Sequence, residues 1–301
     1  MMRKKFISKR RKKRNYKTLT LLIIIILALV RTFKLLDEAD ISIDDKKLVK
    51  ILLNSYEKKK IFNIDISENP VFYLQNNYIE KTFQEIKEEK KEIVNKEPII
   101  YIYNSHQNEE YKASTFAEYD VRPSVMMADY ILEEVFQKNN YPTIVEEKKI
   151  SEVLSSNNWK YTYSYRASRV FLEDVIVTHP SLKYFIDVHR DSLEHDRTYI
   201  NIEGKDYART IFLIGLENEE YEANLAFTEK INNKLNEKYP GLSKGIYKKG
   251  GPTVNGVYNQ DFSNKTILIE IGGYESTTTE VLNSTLAFAE CFLEVINEGE
   301  N

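Results

Sequence analysis

Cysteine is nearly missing from this chain of 301 residues: Cys291 is the single one. One cysteine cannot close an internal disulfide, so the fold must rest on packing alone, and at 42% hydrophobic residues the chain can build a substantial core. Internal repeats are absent. Acidic residues are absent before position 18, where ten Lys and Arg residues lie. Removing those ten from the 43 basic residues leaves 33 against 46 acidic ones, a net of −13. A remainder that acidic argues against a nucleic-acid binder, which needs clustered Lys and Arg on the folded domain. Histidine is scarce as well, at four: His106, His179, His189 and His195.

The basic head, residues 1–17, is followed at once by a very apolar run. Thr18 to Val30 spans roughly 20 Å as a helix, short of a hydrocarbon core of roughly 30 Å. Extended to Leu36 it reaches roughly 28 Å, with Arg31 and Lys34 able to snorkel into the headgroups. No small-x-small cleavage site follows Val30. Residues 18–36 are therefore expected to be an uncleaved transmembrane signal anchor, with a removed signal peptide as the alternative. The charge bias places the N-terminus in the cytoplasm and everything after about residue 37 outside it.

Residues 37–96 are rich in Lys, Glu, Asn and Asp and read as a charged spacer from the membrane. After Pro98 the character changes. Short strands are expected at Ile99–Tyr103, Thr143–Val145, Leu182–Val188 and Thr266–Ile271, and helices after Pro123 and over Ser164–Val177, Glu217–Lys238 and Thr277–Asn297. Arg197–Ile202 and Ala208–Ile214 read as two antiparallel strands around a Gly204-Lys-Asp turn. This alternation predicts a three-layer α/β domain over residues 97–298 with a largely parallel sheet. Cys291 falls on the apolar stripe of the last helix and is expected in the core.

The polar residues worth attention sit at the ends of apolar strands. His106 and Glu109 follow the first strand, His189 follows the strand at 182–188, and Glu270 lies inside Leu-Ile-Glu-Ile-Gly-Gly. A catalytic zinc takes about three ligands from His and carboxylate and leaves a position for water. His106, Glu109 and His189 meet that need, although Glu110, Glu118 and Asp120 compete with Glu109 on spacing. An unpaired carboxylate in an apolar strand is costly, so Glu270 calls for a partner or a function, and a base acting on zinc-activated water is one. Arg190 is a candidate for binding substrate. Asp187 and Asp191 are candidates for orienting a ligand, and ordinary ion pairing is the alternative for all three. Arg166 and Arg169 stand between binding an acidic ligand and pairing with Glu173 or Asp174. His179 and His195 read as surface residues.

Four strings together resemble the stage II sporulation protein P family. They are Tyr103-Asn-Ser-His-Gln-Asn-Glu-Glu-Tyr111, Tyr184-Phe-Ile-Asp-Val-His-Arg-Asp-Ser192, Pro240-Gly-Leu-Ser-Lys-Gly-Ile246, and Tyr258-Asn-Gln-Asp-Phe-Ser263 leading to Ile267-Leu-Ile-Glu-Ile-Gly-Gly273. The resemblance covers about residues 97–298 and extends to the basic head with its anchor. It implies a zinc-dependent N-acetylmuramoyl-L-alanine amidase with peptide-crosslink endopeptidase activity, and a fold similar to zinc amidases and zinc carboxypeptidases. It matches His106 and His189 to zinc ligands and Glu270 to the late catalytic Glu. Glu109 keeps the family's place although the residues around it differ. The implied substrate is peptidoglycan, the implied role is septal wall degradation and engulfment during sporulation, and a lytic transglycosylase is the implied partner. A zinc metallopeptidase and a non-catalytic membrane-anchored wall scaffold are the competing functions.

Overall fold

The computed structural model describes residues 44–62, 97–112 and 123–299, with the backbone alone for 55–62. The basic head, the expected anchor at 18–36, most of the spacer, and Glu118 and Asp120 lie outside the described residues. Among those described, no helix is long and apolar enough to cross a membrane.

In chain order the elements are α1 (Asp45–Phe62), β1 (Ile100–Tyr103), α2 (Met126–Lys138), β2 (Thr143–Val145), α3 (Ile150–Ser156), α4 (Ser164–Thr178) and β3 (Tyr184–Asp191). There follow α5 (His195–Thr198), β4 (Tyr199–Ile202), β5 (Lys205–Ala208), β6 (Thr210–Gly215), α6 (Tyr221–Lys238), β7 (Ser243–Lys249), β8 (Thr266–Gly273) and α7 (Thr278–Gly299). Six strands form the central sheet in the order β2-β1-β3-β8-β6-β7. The first four run parallel; β6 is antiparallel to β8, and β7 runs parallel to β6, so the sheet is mixed.

Strict alternation splits each strand between two faces. Ile100 and Ile102 of β1, Tyr184, Ile186 and Val188 of β3, and Ile267, Ile269 and Ile271 of β8 enter the main core. That core is closed by α2, α6 and α7 through residues such as Ile131, Phe136, Ile231, Leu235, Phe288 and Phe292. Cys291 is buried there, and burial pushes its thiol pKa up to about 12. The other face carries Tyr101, Tyr103 and Phe185 against Leu172 of α4, and Ile211, Leu213 and Leu268 against Tyr258. His189 and Glu270 belong to this second, thinner layer.

Three expectations change. The partner of β4 is β5, reversed by the two-residue turn Glu203-Gly204, whose φ of 52° and 81° suit a tight hairpin. β6 instead enters the central sheet, where alternating Ile211, Phe212 and Leu213 bury both faces. β7 and α3 were not anticipated, because an edge strand reading Ser-Lys-Gly-Ile-Tyr-Lys-Lys has too little apolar alternation to stand out. Finally, the start of the stretch read as spacer is part of the packed unit: Leu48, Val49 and Leu53 of α1 lie in the main core. The α1 end is pinned by Asp45, whose carboxylate accepts from Ser124 N at 3.2 Å and Ser124 Oγ at 2.5 Å.

Leu48 is almost wholly enclosed. Leu48→Ala should destabilise the chain by about 2–4 kcal/mol in equilibrium denaturation. An unchanged midpoint would mean that α1 does not dock.

Candidate metal centre

The first strand ends in a turn. Glu109 N donates to His106 O at 3.0 Å, closing a four-residue reversal that brings the two side chains together. His106 Nδ1 then lies 3.5 Å from Glu109 Oε1. The second histidine arrives from β3, which is longer than expected and runs on to Asp191, so His189 is within the strand and not beyond its end. His189 Nδ1 lies 3.5 Å from Glu109 Oε2, and the two imidazole rings meet edge to face at 5.0 Å.

His106, Glu109 and His189 thus offer three ligand atoms within 4.8 Å of one another, a group that can hold a metal ion. Ligands about 2.1 Å from one tetrahedral zinc stand roughly 3.4 Å apart, so the two 3.5 Å contacts suit such an ion. Two imidazoles and a carboxylate are also the donor types that zinc prefers. Glu110 is excluded from the cluster: its backbone bridges to Ser124 and its side chain is exposed.

The buried partner of His189 is Asp187, two residues back on the same face. Asp187 Oδ1 lies 2.9 Å from His189 Nε2, out of line for a hydrogen bond, and accepts from Ser105 N at 2.9 Å. Its Oδ2 accepts from Ser105 Oγ at 2.6 Å. Ser105 in turn touches Ser168 Oγ at 2.8 Å, to which Asn259 Nδ2 donates at 2.9 Å. A carboxylate held this close to the ring restrains its orientation and raises ligand basicity through its charge.

Electrostatics follow from this crowding. Burial disfavours a charged His189, but the Asp187 and Glu109 carboxylates outweigh it and raise its pKa to about 10. Burial likewise opposes the charge on Glu109, yet His106, His189 and the Arg190 N–H hold its carboxyl well below the usual range.

Glu270 sits directly opposite His189 in the parallel β3–β8 register, so both side chains leave the same face of the sheet. Among the described residues its carboxylate accepts no hydrogen bond and joins no ion pair. Burial, and then the neighbouring Asp191 charge, raise its pKa. The Gly-Gly after it is required: Gly272 has φ +71°, and a Cβ there would stand 2.5 Å from Ser276 Oγ.

Arg190 is committed elsewhere than to open solvent. Its N–H donates to Glu109 Oε2 at 3.0 Å, its Nε to Glu110 O and its Nη1 to Asp191 O. It holds the Glu109 segment against β3. Arg169 pairs with Glu173 and Asp261, Arg166 stacks on Trp159, and Asp174 is taken by Lys148. His195 pairs with Glu280 at 3.0 Å while its side chain stays 38% exposed, so it lies at the surface as expected.

Sequence reasoning passed over Tyr161 and Tyr165. Tyr161 stacks on His106 at 5.3 Å, and Tyr165 meets His106 at 5.3 Å and His189 at 6.1 Å. Their string, Tyr-Thr-Tyr-Ser-Tyr, has no period that separates a site wall from a helix start.

Fold and site together define a mixed α/β domain with a His-Glu-His group, able to hold a metal ion, built from the turn after β1 and the interior strand β3. The model of the stage II sporulation protein P family matches residues 33–293, and the chain belongs to that family. It is 30% identical over 220 residues to Stage II sporulation protein P of Bacillus subtilis (strain 168), covering 71% of this chain. The match takes in 55% of that relative, so the chain spans about half the length of the curated protein it resembles. Among solved structures it is similar to the CwlD amidase from Clostridioides difficile in complex with the GerS lipoprotein. That similarity has a TM-score of 0.42 and 11% identity, over 66% of this chain and 99% of that one. It is also similar to a metallo-carboxypeptidase from Burkholderia cenocepacia, with a TM-score of 0.37 and 10% identity, over 67% and 58% of the two chains.

A raised histidine pKa stabilises the fold below its unfolded value of about 6.5 and loses that contribution as pH rises through about 10. Metal-free protein should therefore lose stability across this interval by more than His189→Gln does. Because the same proton must leave before the ring can bind metal, the zinc-induced rise in unfolding temperature should grow with pH. Thermal unfolding with chelator and with zinc, at about pH 6.5 and about pH 9, checks both. A zinc effect independent of pH would remove His189 from the ligand set.

Proposed function

We propose that this chain is a zinc-dependent peptidoglycan hydrolase that cleaves the amide between the N-acetylmuramoyl group and L-alanine of the stem peptide. It acts outside the cytoplasm, tethered by residues 18–36, on septal wall during sporulation. The observation that carries the reading is the pairing of His189 with Glu270 in adjacent parallel strands. It sets a half-buried carboxylate, without a hydrogen-bond donor among the described residues, beside the His-Glu-His group. Membership of the stage II sporulation protein P family supplies the cell-wall and sporulation context.

His106, Glu109 and His189 would hold the zinc, and Asp187 orients the ring of His189. When bound, zinc supplies Lewis acidity to the amide carbonyl and lowers the pKa of water toward about 7. Glu270 takes one proton from the attacking water and returns it to the departing nitrogen as the C–N bond breaks. A carboxyl whose pKa is raised by burial and by Asp191 suits both halves of that task, since it must accept a proton and then release it. Tyr161 and Tyr165 wall the histidine side of the site.

The full chain in detergent should release free stem peptides from purified peptidoglycan, lose this with chelator and recover it with zinc. Glu270→Gln should lower the rate by about 10²–10⁴-fold while zinc content stays the same. Full activity in Glu270→Gln would sink the assignment of the base. Cut crosslinks in place of free stem peptides, read from product masses, would make the chain an endopeptidase instead.

A further inference from the structure

The Pro240–Ile246 motif plays no part in the chemistry above, yet it delivers a cation to the same face of the sheet. β7 pairs with β6 at Thr210↔Ser243 and again at Phe212↔Ile246, so three residue steps on β7 match two on β6. The extra residue is absorbed at Lys244-Gly245, where Gly245 adopts φ +104°, a conformation that side-chain-bearing residues rarely enter. Ser243 and Ile246 remain on the helix-rich face: Ser243 Oγ donates to Asn232 Oδ1 of α6, and Ile246 packs on the main core. The bulge takes Lys244 out of that alternation and toward the layer that carries His189 and Glu270.

Lys244 reaches across the sheet until its Nζ is 3.5 Å from Asp191 Oδ2, and each of the two side chains is only 12% exposed. Asp191 lies two residues beyond His189 and pairs in register with Gly273, three beyond Glu270. An ammonium has three donors, and charge-assisted hydrogen bonds close to about 2.7–2.9 Å. Asp191 is the one partner of Lys244 among the described residues, and it stands off at 3.5 Å. An enclosed lysine that is loosely held by one carboxylate keeps donors in reserve. Of the other cations near the site, Arg190 spends its Nε and Nη1 on the carbonyls of Glu110 and Asp191, and Lys249, at the far end of β7, acts on Glu270 through its charge. Around it the site is acidic, with Glu109, Asp187, Asp191 and Glu270.

We propose that Lys244 is a substrate-binding residue that grips a carboxylate on the peptide side of the substrate, sharing its ammonium between that group and Asp191. This rests on the hydrolase reading for the identity of the ligand and adds its specificity: an acidic second residue of the stem peptide, beyond the L-alanine at the scissile amide, is preferred to its amide. A second carboxylate brought to Nζ uses donors that Asp191 leaves free, so the existing pair is kept.

The test uses the full chain in detergent with chelator present, so that no turnover intervenes. Calorimetric titration compares N-acetylmuramoyl-L-alanyl-D-glutamate with its bis-carboxamide. The wild type should bind the carboxylate form about tenfold more tightly. Lys244→Met should abolish that ratio while leaving carboxamide binding unchanged, and Lys244→Arg should keep most of it. The double variant Lys244→Met with Asp191→Asn leaves no unpaired charge and should show the same loss, which separates recognition from misfolding. A ratio preserved in Lys244→Met, or a wild type indifferent to the carboxylates, overturns the proposal. Failure of the wild type to bind either ligand overturns the muramoyl-peptide reading itself, and the role of Lys244 with it.

Discussion

The parallel register of β3 against β8 is the constraint on which the site depends. His189 faces Glu270 because Phe185 faces Thr266, Ile186 faces Ile267 and Val188 faces Ile269 along the same ladder. A slip of one residue would turn every side chain to the other face. Slipping β3 would drive Asp187 and His189, and slipping β8 would drive Glu270, into a core of Phe288, Phe292 and Ile231, where each uncompensated charge costs several kcal/mol. The isoleucines of both strands therefore fix the chemistry as firmly as the polar residues do. Packing selects the register, and the register selects the neighbours.

Around that pair the charges are uneven, and the unevenness is informative. Asp187 is served by the Ser105 N–H and hydroxyl, Glu109 by the Arg190 N–H and two imidazoles, and Asp191 by Lys244 and the Leu193 N–H. Glu270 is left without a donor among the described residues. Carboxylates gathered in a half-buried layer repel one another, and a divalent cation at the His-Glu-His group would balance them. The carboxylate without a donor is the one to which we assign proton transfer as a proposal, and the ones with donors hold geometry. Function and satisfaction of hydrogen bonds divide the acidic residues along the same line.

Much of this was legible in the chain. His106, His189 and Glu270 stand out because each interrupts or ends a β-branched, aromatic run whose alternation is plain, and α2, α4, α6 and α7 carry clear helical stripes. What stayed hidden has physical reasons. β7 is an edge strand with three lysines and a bulge, so its period is broken where its chemistry lies. α1 lies in a Lys- and Glu-rich stretch, and three buried residues, Leu48, Val49 and Leu53, are too few to announce a docked helix. Ser105, Ser168 and Asn259 act through hydrogen bonds across the fold, and nothing local marks a serine as the support of an aspartate.

Glu109 shows best how the fold decides what spacing leaves open. Its neighbour Glu110 has the same chemistry, yet the turn from His106 ends at Glu109, and the next residue already pairs with Ser124. That pairing is held from several sides. Tyr111 N donates to Pro123 O, Val125 N donates to Glu109 O, and Asp45 of α1 takes both the N–H and the hydroxyl of Ser124. Arg190 of β3 reaches the same segment from the opposite side through Glu110 O. Tyr111 closes the loop, since its hydroxyl donates to Ile271 O, the residue after Glu270. The carboxylate that completes the His-Glu-His group is thus set by β3, by the docked helix and by the strand of Glu270 together. A shift in any of these three is transmitted to the position of Glu109.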